Sequence, residues 1–266
     1  VKELIIDENY EGIIDEGYRY VYKGSISFEF SIVFSLNKWL YVEGSIEAGE
    51  WIKAGGFIKA GGSIEAGRSI KAGGSIEAGE CIKAGGSIEA GECIKAGRSI
   101  KAGRWIKAGG FIKAGGSIEA GRSIKAGGSI EAGRSIKAGG SIEAGGSIEA
   151  GRSIKAGGSI EAGECIKAGR SIKAGGSIEA GGSIKAGFIM LFGHKGSSLV
   201  FMAGLKYSIW RWGSMLKIGC QSYTIEEWKN FDDEEIKAMD VGALEWWNEH
   251  KIWILNLLPN EKEIIE

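Results

Sequence analysis

Ser129-Ile130-Glu131-Ala132-Gly133-Arg134-Ser135-Ile136-Lys137-Ala138-Gly139-Gly140 is two copies of one six-residue phrase, X-Ile-(Lys/Glu)-Ala-Gly-Y, which runs 24 times without insertion from Ser45 to Phe188. Ile, Ala and the first Gly stand in every unit; the other three positions vary. Successive residues of a strand point to opposite sides, so Ile and Ala share one face while X and the third position, Z, share the other. Z is always Lys or Glu, which makes that face the wet one. X takes Ser, Cys, Trp or Phe, a volume range that a packed interior site does not tolerate, so X is expected to face out. The Gly-Y pair is left to turn the corner, where Gly is expected for its freedom at positive φ.

A four-residue strand with a two-residue corner suits a coil of three short sides, with 18 residues per turn. Duplications support that count. Residues 51–79 recur identically at 105–133 and residues 82–103 at 154–175, offsets of 54 and 72 that are both multiples of 18. The reading is therefore an all-β chain, a three-sided parallel β-helix of eight coils with its hand left open. At a rung spacing of about 4.8 Å the stack is about 38 Å long. Such a stack ends in unpaired strand edges that need caps. Residues 1–44, with alternating stretches such as Tyr18–Tyr22 and Ser25–Phe30, are expected to form an N-terminal β cap. Residues 189–222 read as closing strands. Residues 223–266 read as a helical cap or dimerisation module, opened by the capping box Thr224-Ile225-Glu226-Glu227. A second helix is expected from Asp232 or Asp233 to just before Pro259.

Composition removes several classes of function. There is no Asp between residues 45 and 188, which argues against acid–base clusters and calcium-binding repeats. The chain's only Thr is Thr224, so no threonine array of the ice-binding kind is present. Neither His194 nor His250 lies in the repeats, where a hexapeptide acyltransferase would need one. Cys81, Cys93, Cys165 and Cys220 form no CxxC pair, so no zinc site, disulfide or other metal or cofactor site is expected. No enzyme is read here. No apolar run approaches a membrane span and no signal-peptide layout is visible, so a cytosolic protein is expected.

Charge is unevenly placed. Residues 45–188 hold 14 Lys and 7 Arg against 14 Glu, while the whole chain is at −1. Each of those Arg residues is followed three positions later by Lys. Arg134/Lys137, Arg152/Lys155 and Arg170/Lys173 are spaced by 18, which stacks six cations along one edge. Glu143, Glu161 and Glu179 stack on the next face of the same coils. Two readings stay open: an anion-binding edge for nucleic acid or a nucleotide, or a solvated face propagated by duplication. Aromatics offer a second surface. Trp51 with Phe57, and Trp105 with Phe111, occupy equivalent positions and form a candidate patch for a protein partner. Trp246, Trp247, Trp253 and Leu257 form a candidate homodimer surface on the C-terminal helices.

The repeated Ser-Ile-Glu-Ala-Gly and Ser-Ile-Lys-Ala-Gly units resemble hexapeptide-repeat proteins of bacteriophages and bacterial mobile elements over residues 45–188. Leu216–Cys220 followed by Tyr223–Trp228 looks like a tail module that accompanies such repeats. The resemblance implies a small accessory protein in the cytoplasm of a bacterial host, one that antagonises a defence complex by occupying a protein, nucleic acid or nucleotide signal. The leading expectation is thus a binding protein of that kind. A nucleic-acid or nucleotide binder is the first alternative and a self-assembling structural β-helix the second.

Overall fold

The computed structural model describes residues 2–36, 38–186, 188–191, 199–202, 206–212 and 214–255. The chain divides into two compact units, 1–192 and 193–266.

The first unit is a β-solenoid with three parallel sheets of 10, 10 and 11 strands. Each unit of the repeat supplies one short strand, and strands 18 residues apart are neighbours: Ile124 pairs with Ile142, Lys125 with Glu143 and Ala126 with Ala144. The faces are named here by their X residues. The Trp face carries Trp51 and Trp105, the Phe face carries Phe57 and Phe111, and the Ser face carries Ser45, Ser63 and their successors. Ile side chains from Ile46 to Ile172 are buried to within 1% and the Ala residues stack beside them, so the core is two small apolar side chains per strand. Burying each Ile contributes roughly 1.5–3 kcal/mol, and the repetition makes that a continuous column.

Two expectations about the repeat change. Most X residues do not point freely outward but sit half-buried at the edge of the strand, with Ser75, Ser87 and Ser171 buried and Phe57, Ser177 and Ser183 exposed. Their hydroxyls form a ladder of their own, with the Ser63 N–H donating to Ser45 Oγ (3.0 Å) and the Ser87 N–H to Ser69 Oγ (3.0 Å). The corner glycines are also there for a different reason. Among the described glycines positive φ occurs only at Gly12, Gly17, Gly24, Gly219 and Gly242, none of them in the repeat. What the first corner glycine supplies is space. A Cβ on Gly145 would collide with the carbonyl oxygen of Gly127 one rung below, while the Gly145 N–H continues the ladder to Ala126 O (3.1 Å).

The N-terminal residues extend the solenoid and then stop it. Glu3–Ile6 and Ser31–Phe34 continue the Trp face, Ile26–Phe28 the Ser face, and Tyr20–Tyr22 and Leu40–Val42 the Phe face. Ile32 pairs with Ile52, two residues more than one repeat turn, because the corner from Ser35 to Trp39 is longer. That corner is tied down by Lys38 Nζ on Asp15 (2.8 Å). Ile13–Asp15 folds back antiparallel on Tyr20–Tyr22 through a turn that needs positive φ at Gly17, so the last strand does not offer a matching parallel edge.

The second unit corrects the reading of residues 189–222. Phe188–Leu191 does close the Ser face. Leu199–Met202, Ile209–Trp212, Met215–Ile218 and Gln221–Thr224, however, form a separate antiparallel meander. Three helices follow among the described residues: α1 (Ile225–Asn230), α2 (Asp233–Met239) and α3 (Ala243–Leu255). Thr224 and Glu227 form the expected reciprocal cap, with the Glu227 N–H on Thr224 Oγ1 (3.2 Å) and the Thr224 N–H on Glu227 Oε2 (2.7 Å). The single long helix expected after Asp232 is broken at Gly242, whose φ of 75° no helix accepts. No helix among the described residues is long and apolar enough to cross a membrane.

Candidate polyanion-binding edge

The corner between the Phe and Ser faces is where the solenoid brings its cations together. The Arg152 N–H donates to Arg134 O (2.7 Å) and the Arg170 N–H to Arg152 O (2.7 Å), so the three arginines stand on consecutive rungs. On the adjoining Ser face Lys137 pairs in register with Lys155, and Lys155 with Lys173. All six predicted residues are therefore joined in one band. The sequence reading missed two more. Lys167 and Lys185 are register neighbours on the Phe face, along the other flank of the same corner. They were legible in principle, since both lie three residues before an edge position at the 18-residue period. Glu149 stands next to Lys167 in that column and is the nearest acidic interruption by register.

Lower rungs show what normally happens to such charges. Lys83 meets Glu65 (2.8 Å), Lys113 meets Glu131 (2.9 Å), Lys125 meets Glu143 (2.6 Å), and Arg98 meets Glu80 (3.8 Å), each across one rung. Glu77 is clasped by Lys59 (3.2 Å) and Lys95 (3.3 Å). Burial pushes the Glu77 carboxyl up, but the hydrogen bonds from the two lysines outweigh it and hold the group below its usual range. Arg134, Lys137, Arg152, Lys155 and Arg170 have no such partner: among the described residues no carboxylate lies within 4.0 Å of any of them. Stacked like charges at about 4.8 Å repel in proportion to their exposure. Lys101, Arg104, Lys107 and Arg122 also lack a carboxylate within 4.0 Å among the described residues, but the band on this edge is the longer one, with arginines on three consecutive rungs.

The predicted aromatic pairs are equivalent in sequence and differ in surroundings. Trp51, Trp105 and Phe111 are half-buried. Lys53 lies over the Trp51 ring (5.2 Å), the Trp105 Nε1–H donates to Glu89 (2.9 Å), and Lys95 covers Phe111 (5.1 Å). Phe57 alone is exposed, at 42%, and with Trp39 from the long N-terminal corner it walls a notch of about 150 Å³. Trp39 was not predicted because nothing in the repeat marks it.

The predicted dimer surface is corrected. Trp246 and Trp247 are 8% and 5% exposed, and they belong to the core of their own unit. Trp246 meets Tyr207 edge-on (5.0 Å) and stacks on His250 (4.5 Å), while Trp247 lies 5.2 Å from Trp228. The small meander needs these rings for its own core, which consumes the aromatic excess. Leu257 and the Trp253 side chain lie outside the described residues. A cavity of about 240 Å³ remains between the meander and the helices, lined by Tyr207, Cys220, Trp228, Asp240, Trp246 and Trp247.

Among the described residues no group of three or more His, Cys, Asp or Glu is arranged to hold a metal ion. No protein-family model, curated protein or solved structure matches the chain.

Proposed function

We propose that this is a binding protein rather than an enzyme, and that its binding surface is the Arg/Lys corner, which takes the phosphate backbone of a nucleic acid. The observation that carries the reading is one continuous band of stacked, unmatched cations along a single edge. Many cations on the lower rungs are matched across rungs by carboxylates, whereas Arg134, Lys137, Arg152, Lys155 and Arg170 stand together on three consecutive rungs without one among the described residues. A rigid ladder holds them in line, so no ordering of the backbone opposes binding. Charge contacts of this kind supply affinity without base specificity. The test is fluorescence anisotropy of a labelled DNA duplex at low salt. The Arg134→Ala/Arg152→Ala/Arg170→Ala variant should bind many-fold more weakly, while Lys59→Ala/Lys83→Ala/Lys95→Ala, which removes matched cations, should bind nearly as wild type. Equal losses in both variants would reduce the effect to net charge.

A second reading is favoured by Phe57 and Trp39. An exposed ring beside a notch is the form of an anchor for a protein partner, and capture of a host protein is what the resemblance to phage accessory proteins implies. Its test is a pull-down from bacterial lysate with wild type and Phe57→Ser. A stoichiometric partner lost in the variant supports it, and an identical set of proteins in both sinks it.

A further inference from the structure

Three consecutive coils repeat one charge arrangement of which the polyanion reading uses only the lysines. Lys137 and Glu143, Lys155 and Glu161, and Lys173 and Glu179 follow one another by six residues, so each coil carries Lys on its Ser face and Glu on the adjoining Trp face. Glu143, Glu161 and Glu179 are register neighbours, as are Lys137, Lys155 and Lys173. The two columns point away from each other on adjacent faces. Glu161 and Glu179 have no cation within 4.0 Å among the described residues, and Glu143 has Lys125 alone. The Glu column thus repeats a like charge at about 4.8 Å, and the Lys column on the other face is too far round the coil to relieve it.

We infer that these coils are self-complementary and bind a second copy of this chain, the Trp face of one against the Ser face of the next. Both columns have the same number of charges and the same pitch, because both are set by the one 18-residue turn. A partner built on that turn meets every Glu with a Lys, whereas a partner on any other repeat drifts out of step. The surfaces are also shaped for close approach. The X residues beside the charges are all serine, Ser135, Ser153 and Ser171 on one face and Ser141, Ser159 and Ser177 on the other. A groove of about 440 Å³ floored by Ala144, Ala162 and Ala180 runs along the Glu column. The corner joining the two faces carries Gly140, Gly158 and Gly176, so no side chain stands at the shared edge. One coil lower the same corner carries Arg122, and lower on the Trp face stands Trp105, which confines the contact to these coils.

The contact joins two different faces, so it is heterologous and propagates into a ring or an open ladder instead of closing as a two-fold dimer. It rests on the same Lys column as the polyanion reading but needs no arginine. Polyanion and second copy compete for the lysines, and an excess of duplex disperses the assembly.

Sedimentation velocity without nucleic acid tests this, at about 25 mM and about 300 mM salt, on either side of strong screening. Wild type should sediment as larger species at low salt and as one small species at high salt. Glu143→Lys/Glu161→Lys/Glu179→Lys and Lys137→Glu/Lys155→Glu/Lys173→Glu should each stay small, and their equimolar mixture should associate again at low salt. Circular dichroism establishes first that each variant is folded; where a triple variant is not, Glu161→Lys and Lys155→Glu take its place. Salt-independent sedimentation of wild type, or failure of the mixture to associate, overturns the inference. Arg134→Ala/Arg152→Ala/Arg170→Ala should keep the self-association while losing affinity for duplex, which separates the two claims.

Discussion

The backbone N–H of Arg152 donates to the carbonyl of Arg134 at 2.7 Å, so two exposed guanidinium groups are held one rung apart by the ladder that builds the fold. Arg170 repeats the relationship above them. Stability at this corner should therefore respond to charge. Arg152→Glu places a carboxylate between two arginines and should stabilise the protein by about 0.5 kcal/mol at low salt, the scale of an exposed ion pair. The gain should fade as salt is raised. Urea midpoints at two salt concentrations check it, and a loss of stability at low salt would mean the column is not repulsive.

The corner glycines should divide into two kinds. On Gly127 a Cβ would collide with the Gly109 carbonyl, whereas on Gly128 its nearest neighbour is 3.4 Å away. Gly127→Ala should destabilise by about 1–3 kcal/mol, the cost of overpacking where the neighbour is backbone. Gly128→Ala should stay within about 0.5 kcal/mol of wild type. Denaturation of the two single variants decides this, and equal effects would return the argument to backbone conformation.

The column of isoleucines should be most sensitive in its middle. Ile130 is fully buried, so Ile130→Ala is expected to cost about 2–5 kcal/mol through lost transfer energy and a cavity. Ile184, half-exposed on the last strand of the Phe face, should cost clearly less. Thermal melts of the pair measure the difference, and a reversed order would contradict the burial.

Acid should loosen the lower rungs through Glu77. Its carboxyl is held below the usual value by Lys59 and Lys95 against the opposing effect of burial. A depressed folded value means the carboxylate stabilises the fold above its unfolded value of about 4.3 and loses that contribution as pH falls through the folded value. The stability gap between wild type and Glu77→Gln should thus be present at pH 6 and close toward pH 3. A gap that does not change with pH would show that Glu77 acts by packing.

Much of the solenoid is legible in its letters because one rule is applied 24 times. Ile and Ala at alternate positions give the inward face, and offsets of 54 and 72 give the turn of 18. Register then places Arg134, Arg152 and Arg170 together by arithmetic alone. The letters do not show distances between rungs, so the first corner glycine was assigned to conformation when it is required by the approach of Gly127 O to Gly145. They also do not say which carboxylate reaches which cation, and that is what separates Lys83, matched by Glu65, from Lys155, which is not. The C-terminal unit was harder because alternation looks alike in a solenoid strand and a meander strand. Ile209 and Arg211 share the buried side of one such strand, and Arg211 is 2% exposed with no hydrogen-bond partner for Nε or Nη1 among the described residues, which no pattern rule anticipates. Trp246 and Trp247 looked like surplus for the same reason: the sheet they cover had been assigned to the solenoid.

The salt dependence of duplex binding tests the central claim most directly. Log affinity against log salt should be linear for wild type, and Arg134→Ala/Arg152→Ala/Arg170→Ala should flatten the slope by about 0.9 for each arginine that contacts a phosphate. Weak binding with an unchanged slope, or no binding by wild type at low salt, would contradict the assignment of the Arg/Lys corner as the binding edge.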